Sequence, residues 1–266
     1  MISANAHAKI NLALVVGPTR PDGLHEVATL LQRIDLADTV KLEPAEELAV
    51  DGFDGDTLVR AALKEVAAAA GVEPRWRASI EKRIPVAAGL GGGSSDAATA
   101  LRLACSLLDD PPAPEQLHAI ARDLGVDVAF FLADGPQLAT GTGTTLEPVD
   151  LPQDFAVLLL LPEGEAKPST AEVYARFAGE AGFEERRARV LEAAAAGRGA
   201  DLANLPPNDL VSSPHSARLL ELGAFRADVS GAGPVVFGLF ASLAAAEHAA
   251  AAVSSLGETW LARPAW

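Results

Sequence analysis

Residues 85–96 of the chain read Pro-Val-Ala-Ala-Gly-Leu-Gly-Gly-Gly-Ser-Ser-Asp, and an Ala- and Leu-rich segment follows them directly. Four glycines in five positions predict a loop, because glycine is costly inside a helix and weakens a strand. Ser94 and Ser95 are good N-cap residues, so a helix is predicted from Asp96 to Leu108. A glycine loop at a helix N-terminus leaves several backbone N–H groups unpaired beside the positive end of the helix dipole. The stretch therefore predicts an anion site, and phosphate is the expected anion.

Two common phosphate-binding patterns do not fit this loop. A P-loop needs Lys and then Ser or Thr after its last glycine, whereas Ser94 follows Gly93 directly. The dinucleotide fingerprint, counted from Gly89, has Ser94 where its third glycine belongs. A flexible connector is the other alternative, although connectors seldom lead straight into a well capped helix.

Composition limits the partners of this protein. A chain of 266 residues, about half of them apolar, can form one large domain or two modest ones. The formal net charge of −15 argues against binding nucleic acid or an anionic membrane, so local donors must hold any phosphate. The single Cys105 cannot form an internal disulfide, and a buried structural role is expected. Neither a signal core nor a membrane-length apolar run is found, so the cytoplasm is the expected location.

Hydrophobic periodicity predicts a mixed order of strands and helices. In the first part, strands are predicted at residues 6–16, 40–43, 48–50, 76–80 and 138–143, with an apolar stretch ending near 36 and helices at 57–70 and 114–124. In the second part, strands are predicted at residues 155–161, 225–229, 235–240 and 258–262, with helices at 169–177, 184–196, 213–222 and 243–254. A boundary near residue 150 separates the two parts. The β–α–β–β–α–β order of the second part favours a ferredoxin-like domain.

Several polar residues have both a structural and a functional interpretation. Lys9 and Asn11 alternate with Ile10 and Leu12, which by itself favours a solvated strand face. Asp127 stands in an apolar run, where it is either the N-cap of a short helix or a carboxylate with a task. His25 taken alone is an incidental loop histidine, since no histidine at i+4 supports a metal site.

The pattern Pro-x-x-x-Gly-Leu-Gly-Gly-Gly-Ser-Ser-Asp-Ala-Ala at residues 85–98 resembles the phosphate loop of the GHMP kinases, a family named for galactokinase, homoserine, mevalonate and phosphomevalonate kinases. The segment Ala8-Lys9-Ile10-Asn11-Leu12 also matches, and the resemblance covers nearly the whole chain in the same order. It implies a two-domain α+β fold, with an α/β ATP-binding domain over residues 1–150 and a ferredoxin-like domain over residues 151–266.

The resemblance implies an ATP-dependent kinase for a small alcohol. Within the family, the chain is most similar to members of an isoprenoid precursor pathway, which phosphorylate the methylerythritol hydroxyl of a cytidine diphospho sugar alcohol. An acceptor of the homoserine or mevalonate type is an alternative. So is a non-catalytic nucleotide-binding regulator of the same fold, although the presence of both Lys9 and Asp127 argues against it.

Catalytic and nucleotide-binding roles carry over from the family residue by residue. Asp127 matches the base that takes the acceptor's proton, and Lys9 matches the cation that keeps this acid ionised. Mg²⁺ is expected on the ATP phosphates without a dedicated metal site, with Ser95 and Asp127 as contributors. Lys82 is either surface charge or a nucleotide ligand, and Thr57 stands where the family usually has Asn at the adenine pocket. The expected ATP-binding residues are Thr57, Lys82, Pro85, Val86, Ala87, Ala88, Gly89, Leu90, Gly91, Gly92, Gly93, Ser94 and Ser95.

Acceptor-binding roles also carry over, with one departure. Family members read the cytosine ring with an aromatic residue followed by His, and with a second aromatic on the other face. His25 and Tyr174 match, but Leu24 replaces the first aromatic. Asn11, Leu24, His25, Tyr174, Ser230 and Gly231 are the expected acceptor residues. Ser230 and Gly231 match a third, glycine-rich motif, although a tight hairpin turn explains them equally well on sequence alone.

Overall fold

The computed structural model describes residues 1–165, 169–177, 179 and 181–266. Within that part of the chain the strands are β1 (Ile2–Thr19), β2 (His25–Pro44), β3 (Ala49–Asp51), β4 (Trp76–Glu81), β5 (Gln137–Thr140), β6 (Thr145–Pro148), β7 (Ala156–Pro162), β8 (Arg226–Val229), β9 (Val236–Phe240) and β10 (Gly257–Ala262). The α-helices are α1 (Leu58–Ala69), α2 (Gly92–Leu107), α3 (Pro114–Leu124), α4 (Val126–Leu132), α5 (Thr170–Arg176), α6 (Phe183–Ala196), α7 (Pro214–Glu221) and α8 (Leu243–Val253). The α+β class predicted from the sequence is confirmed.

Contacts divide the chain into two compact units, each assembled from several segments. The first unit contains residues 1–8, 37–86 and 91–134, and the second contains residues 9–36, 87–90 and 135–266. The division of the sequence at residue 150 into an ATP-binding and a ferredoxin-like domain stays a prediction.

The first unit combines a small sheet with helices α1 to α4. Residues 39–44 of β2 pair antiparallel with β4, and β3 pairs parallel with β4. Helix α1 packs against α2 and α3, and α4 packs against α2 and α3 as well. The buried face of α1 contains Val59, Ala62, Leu63 and Val66, the spacing that a helix needs to present one apolar stripe.

The second unit contains a four-stranded antiparallel sheet in the order β10-β7-β9-β8. Numbered within this sheet, the strand order is 4-1-3-2, which is the order expected for the ferredoxin-like β–α–β–β–α–β arrangement. Helix α8 packs on β7, β9 and β10, and α7 packs on β8 and β9. The same unit also contains residues 29–31 of β2, paired with β5, which in turn pairs with β6.

Strand β2 is longer than the sequence pattern predicts. The apolar stretch ending near Leu36 and the strand at residues 40–43 were predicted as separate elements, whereas the structure has one 20-residue strand. Asp38 lies between those two predicted elements and is buried, because its Oδ1 atom accepts hydrogen bonds from the backbone N–H groups of Arg83 and Ile84. Those bonds satisfy the carboxylate, and the strand continues through it.

Within the described part of the chain, no helix is both long and apolar enough to cross a bilayer.

Candidate active site

Helix α2 begins earlier than the serines predict. It starts at Gly92, and its N-cap is Gly91 in the left-handed region at φ 70°, so the prediction of Ser94 and Ser95 as caps is wrong. Glycine suits the N-cap position here, because it adopts a left-handed φ without the steric cost that a Cβ would add. A Cβ at Gly92 would also lie 3.1 Å from Ile84 Cγ2. No side chain caps α2, which leaves its first N–H groups for an anion.

Residues 87–90 of the same loop belong to the second unit and contact its glycine-rich turn at residues 230–233. Ser230 Oγ donates to the carbonyl oxygen of Gly89 at 3.0 Å, and Gly89 has φ 83°. A Cβ at Gly89 would lie 2.1 Å from the carbonyl oxygen of Ser230, so glycine is required there. The backbone N–H of Lys9 bonds the carbonyl oxygen of Leu90 at 2.9 Å. The turn is a hairpin between β8 and β9, and it also supports this loop.

Lys9 and Asn11 belong to a buried polar chain on β1. Lys9 Nζ donates to Asn11 Oδ1 at 2.7 Å, and Asn11 Nδ2 donates to Thr29 Oγ1 at 2.9 Å. Thr29 Oγ1 then donates to the carbonyl oxygen of Ala13 at 2.6 Å. Lys9 is 4% exposed and Asn11 6%, so the interpretation as a solvated strand face is wrong. A Cβ on Gly231 would lie 3.5 Å from Lys9 Nζ, which places the turn beside this chain.

Two residues that sequence reasoning missed hold these groups in place. Thr29 fixes Asn11, as described above. Asn208 is buried and donates through Nδ2 to the carbonyl oxygens of Val229 and Gly231, at 2.9 and 2.6 Å. Asn208 therefore fixes the turn that contacts Gly89. An isolated Asn after two prolines carries no sequence signal for such a role, since its partners lie about twenty residues further along.

Lys82 lies between two buried carboxylates of the first unit. Its ammonium donates to Asp38 Oδ2 and, at 2.8 Å, to Asp96 Oδ2. Burial raises the pKa of Asp96 to about 7, against the hydrogen bond from Lys82, which lowers it. Burial would lower the pKa of Lys82, but its hydrogen bonds to Asp38 and Asp96 outweigh that effect and raise it. Lys82 therefore stays charged, and the interpretation as free surface charge is wrong.

Asp127 is the second residue of α4, half-buried, with Gly125 as the N-cap. The interpretation of Asp127 as an N-cap is therefore wrong. A carboxylate in a first helical turn interacts favourably with the helix dipole. Asp127 belongs to the first unit and Lys9 to the second. Their joint action on the acceptor remains a proposal, developed below.

His25 and Tyr174 lie together in the second unit. Their ring centroids are 5.9 Å apart, and the His25 ring also meets the edge of Phe177 at 5.6 Å. Helix α5 presents Tyr174 and begins with a capping box formed by Ser169 and Glu172. His25 Nδ1 lies 2.9 Å from the carbonyl oxygen of Gly17, which can only accept, so this contact selects the tautomer with N–H at Nδ1 and the lone pair on Nε2. Leu24, which directly precedes His25 in the sequence, is 54% exposed.

Thr57 is the exposed N-cap of α1 but makes no side-chain capping bond. Asp56 caps the helix instead, because its carboxylate accepts hydrogen bonds from the N–H groups of Val59 and Arg60. The Thr57 hydroxyl is therefore not used to cap α1. Its predicted adenine contact is neither supported nor opposed by this geometry.

The comparisons with known proteins agree with the loop and the fold. Residues 57–135 match the model of the GHMP kinases N terminal domain, and residues 209–259 match that of the GHMP kinases C terminal domain. Together with the two units, these matches define a GHMP kinase, as the glycine loop predicted.

Similar proteins of known name identify a more specific family among the GHMP kinases. The chain is 38% identical to a 4-diphosphocytidyl-2-C-methyl-D-erythritol kinase of Salinibacter ruber, over 93% of each chain. It is 38% identical to the kinase of that name from Pelotomaculum thermopropionicum, over 94% of this chain and 93% of the relative. A crystal structure of 4-(cytidine 5'-diphospho)-2C-methyl-D-erythritol kinase superposes with a TM-score of 0.81 at 35% identity, covering all of both chains. The chain belongs to the family of 4-diphosphocytidyl-2-C-methyl-D-erythritol kinases.

Proposed function

We propose that the chain transfers the γ-phosphoryl group of ATP to the methylerythritol hydroxyl of 4-diphosphocytidyl-2-C-methyl-D-erythritol, in the non-mevalonate route to isoprenoid precursors. The observation that carries this proposal is the similarity to kinases of that name, at 38% identity over more than nine-tenths of the chain. We expect the enzyme to act in the cytoplasm, without nucleic acid or membrane partners.

The first N–H groups of α2, together with loop residues 85–95, would bind the ATP phosphates. This proposal is supported by the uncapped start of α2 and by the glycines that keep side chains away from it. Lys82 would add a positive charge at the same helix end. The net charge of −15 makes such local donors necessary, because the field of the whole protein repels ATP.

Phosphoryl transfer requires positioning and charge neutralisation more than covalent work by the protein. In the proposal, Asp127 accepts the proton of the acceptor hydroxyl as its oxygen attacks the γ-phosphorus. Lys9 would supply positive charge that stabilises the charge developing on the acceptor, and Asn11 orients Lys9 through the hydrogen bond at 2.7 Å. Burial of Lys9 and Asn11 supports a functional role, since buried polar groups are costly unless their partners are well placed.

The cytosine of the acceptor would bind beside His25 and Tyr174. The lone pair on His25 Nε2 can accept a hydrogen bond from the cytosine amino group, whereas a uracil carbonyl at that position would meet the lone pair unfavourably. Tyr174 offers a ring for stacking, which is worth about 1–3 kcal/mol per base. Leu24 covers the other face with apolar surface only.

Mg²⁺ would be held chiefly by the ATP phosphates. Within the described residues, no group of three His, Cys, Asp or Glu side chains could hold a metal ion. Mg²⁺ commonly keeps several waters and uses one or two protein oxygens beside substrate phosphates. The Ser95 hydroxyl and the Asp127 carboxylate would supply those oxygens, and the ion would neutralise phosphate charge.

A coupled assay of ADP release across a panel of acceptors tests the function. We expect turnover with 4-diphosphocytidyl-2-C-methyl-D-erythritol, loss of turnover with EDTA and recovery with added Mg²⁺. Turnover of homoserine or mevalonate, with the cytidine compound ignored, would assign a different acceptor; Leu24 in place of an aromatic residue is the feature that favours this alternative. ATP binding without turnover of any acceptor would indicate a regulator.

A further inference from the structure

The ion cluster of Asp38, Lys82 and Asp96 has a role that the proposed chemistry does not explain. The side chains of Asp38 and Asp96 are 0% and 2% exposed, and that of Lys82 is 16% exposed. A single carboxylate would suffice to neutralise one buried ammonium. The second carboxylate adds a desolvation cost that a purely structural pair would avoid.

Asp38 is rigidly anchored. Its Oδ1 atom accepts hydrogen bonds from the backbone N–H groups of Arg83 and Ile84, the residues that lead into the glycine loop. Its Oδ2 atom is thereby aimed at Lys82. Asp38 thus ties the Lys82 ammonium to the backbone that carries the loop.

Asp96 is less well satisfied. Its Oδ2 atom accepts from Lys82 at 2.8 Å, whereas its buried Oδ1 atom accepts no hydrogen bond from the described residues. The neighbouring Asp38 carboxyl group adds to burial in raising the pKa of Asp96, so a like charge disfavours its ionised form. An unsatisfied buried oxygen costs about 1–3 kcal/mol, and more when the group is charged. Asp96 is buried in spite of this cost, which indicates that its hydrogen bond to Lys82 serves a purpose beyond stability.

Lys82 lies at the wrong end of a helix for stability. A Cβ on Gly92, the first residue of α2, would be 3.3 Å from Lys82 Nζ, so the ammonium packs against the start of the helix. Cations are disfavoured at a helix N-terminus, because its dipole end is positive. The two carboxylates offset the unfavourable interaction between the Lys82 ammonium and the helix dipole. An ammonium has three donors, and two of them bond Asp38 and Asp96. The Phe53 ring lies 5.7 Å from Nζ, and among the described residues the third N–H makes no hydrogen bond, so it is available to a ligand.

We propose that Asp38 and Asp96 are positioning residues that hold the Lys82 ammonium beside the first turn of α2, with its third N–H directed at a nucleotide phosphate. This inference rests on the proposed binding of ATP by the loop. Neither acid touches the nucleotide. Their contribution is to restrict a flexible side chain to the one location where it meets the phosphates.

Two variants of Asp96 separate positioning from simple charge. Asp96→Ala removes both the charge and the acceptor, and we expect ATP binding, measured by calorimetry with a non-hydrolysable ATP analogue, to weaken about tenfold through loss of a charge-assisted hydrogen bond. Asp96→Asn keeps an acceptor for Lys82 Nζ, and we expect it to restore most of that affinity. If Asp96 acted only by its negative charge, both variants would bind the analogue more tightly, and the proposal would be overturned.

A double variant tests whether Asp96 acts through Lys82. We expect Lys82→Met to weaken analogue binding, and the addition of Asp96→Ala to weaken it no further. Full additivity would overturn the proposal. As a matched control, Asp51→Ala breaks the exposed ion pair with Arg77 in the same unit and should leave analogue binding unchanged. Should Asp96→Ala fail to fold, Asp96→Ser, whose shorter side chain also withdraws the acceptor from Lys82 Nζ, provides the same comparison with and without Lys82→Met.

The Lys82→Met variant alone distinguishes failure of the positioning proposal from failure of the proposed function. Unchanged analogue affinity in this variant would remove Lys82 from the nucleotide site and overturn the positioning proposal. The proposed function would still be tested separately by acceptor turnover. Failure of the wild type to bind the analogue at all would instead contradict the proposed function.

Discussion

Ser230 Oγ donates a hydrogen bond to the carbonyl oxygen of Gly89, 141 residues away in the sequence, at 3.0 Å. The two glycine-rich segments that carry these residues belong to the same unit, and they approach so closely that no side chain fits at Gly89. The position of residues 87–90 of the glycine loop therefore depends on a turn near the other end of the chain. This dependence can be tested at Gly89.

Gly89→Ala should disrupt the loop far more than a strained backbone alone would. The new Cβ would lie 2.1 Å from the carbonyl oxygen of Ser230, so either the loop or the turn must shift. We expect a lower Tm and weaker ATP binding, measured by thermal unfolding and calorimetry. Gly135→Ala is the control, because Gly135 has a similar φ of 74° but nothing within 4 Å of its Cβ position. Equal effects of the two variants would show that the contact with Ser230 is unimportant.

Gly93→Ala should separate stability from nucleotide binding. Gly93 is exposed in the first turn of α2, and the nearest atom to its Cβ position is Leu58 Cδ1 at 3.8 Å. Alanine is favoured over glycine by up to about 1 kcal/mol in a helix, so the Tm should stay the same or rise. The methyl group would occupy space that the proposed phosphates need, and calorimetry should show weaker ATP binding. Unchanged affinity would move the phosphates away from this turn.

Asp127→Asn should lower kcat by about a hundredfold or more, the usual contribution of a general base. ATP affinity should change little, because other groups hold the phosphates. Asp123→Asn, which alters an exposed carboxylate of α3, is the control for the loss of one charge. Steady-state kinetics showing near-normal turnover, together with a lower Tm, would make Asp127 a structural residue of α4.

Leu24→Tyr should lower the KM for the cytidine acceptor. A tyrosine could stack on the cytosine opposite Tyr174, and regaining about 1 kcal/mol would reduce KM by up to about tenfold. Leu24 is 54% exposed, so the change should not cost core packing or lower the Tm. Tyr174→Ala should raise KM in the same assay. A KM that is indifferent to both changes would place the base elsewhere.

The stability of the protein should fall with rising pH because of Asp96. Burial raises its pKa to about 7 in the folded state, from an ordinary value of about 3.9 in the unfolded chain. Between these values the unfolded chain releases the proton while the folded chain retains it, so the unfolded state gains relative stability as pH rises. Urea unfolding of the wild type and of Asp96→Asn should diverge in favour of the variant from pH 4 to 7, by at most about 1.4 kcal/mol per pH unit. Parallel curves would show that Asp96 ionises normally.

Much of the fold was predictable because local patterns are strong in this chain. The helix at 114–124 was predicted with the bounds that the structure gives it, and the strands and helices of the ferredoxin-like arrangement were predicted within one residue of their bounds. Periodic apolar residues and turn residues determine helices and strands through their close neighbours in the sequence, so these elements can be predicted from short segments. The glycine loop that leads into α2 was predictable for the same reason, and the anion site at its N–H groups stays a prediction.

Local sequence patterns gave wrong predictions for buried polar residues whose hydrogen-bond partners lie far away in the sequence. Residues 25–44 were predicted as two separate elements, yet Asp38 lies buried within one strand, because backbone N–H groups some 45 residues further along satisfy its carboxylate. Lys9 and Asn11 suggested a solvated face, yet Thr29 from another strand completes a buried hydrogen-bonded chain. Asn208 gave no signal at all, because its importance lies in two carbonyl groups of a turn about twenty residues away.

The amino-acid order alone was sufficient to indicate the class of kinase, since the loop, the Lys9 segment and the Asp127 position occur in the family's order. Tertiary structure alone established which polar side chains are buried, what satisfies them, and that Lys82 stands between two acids at the start of α2. The physical reason is that the cost of burying a charge depends on hydrogen-bond partners. Those partners come from elements far apart in the chain, and only folding brings them together.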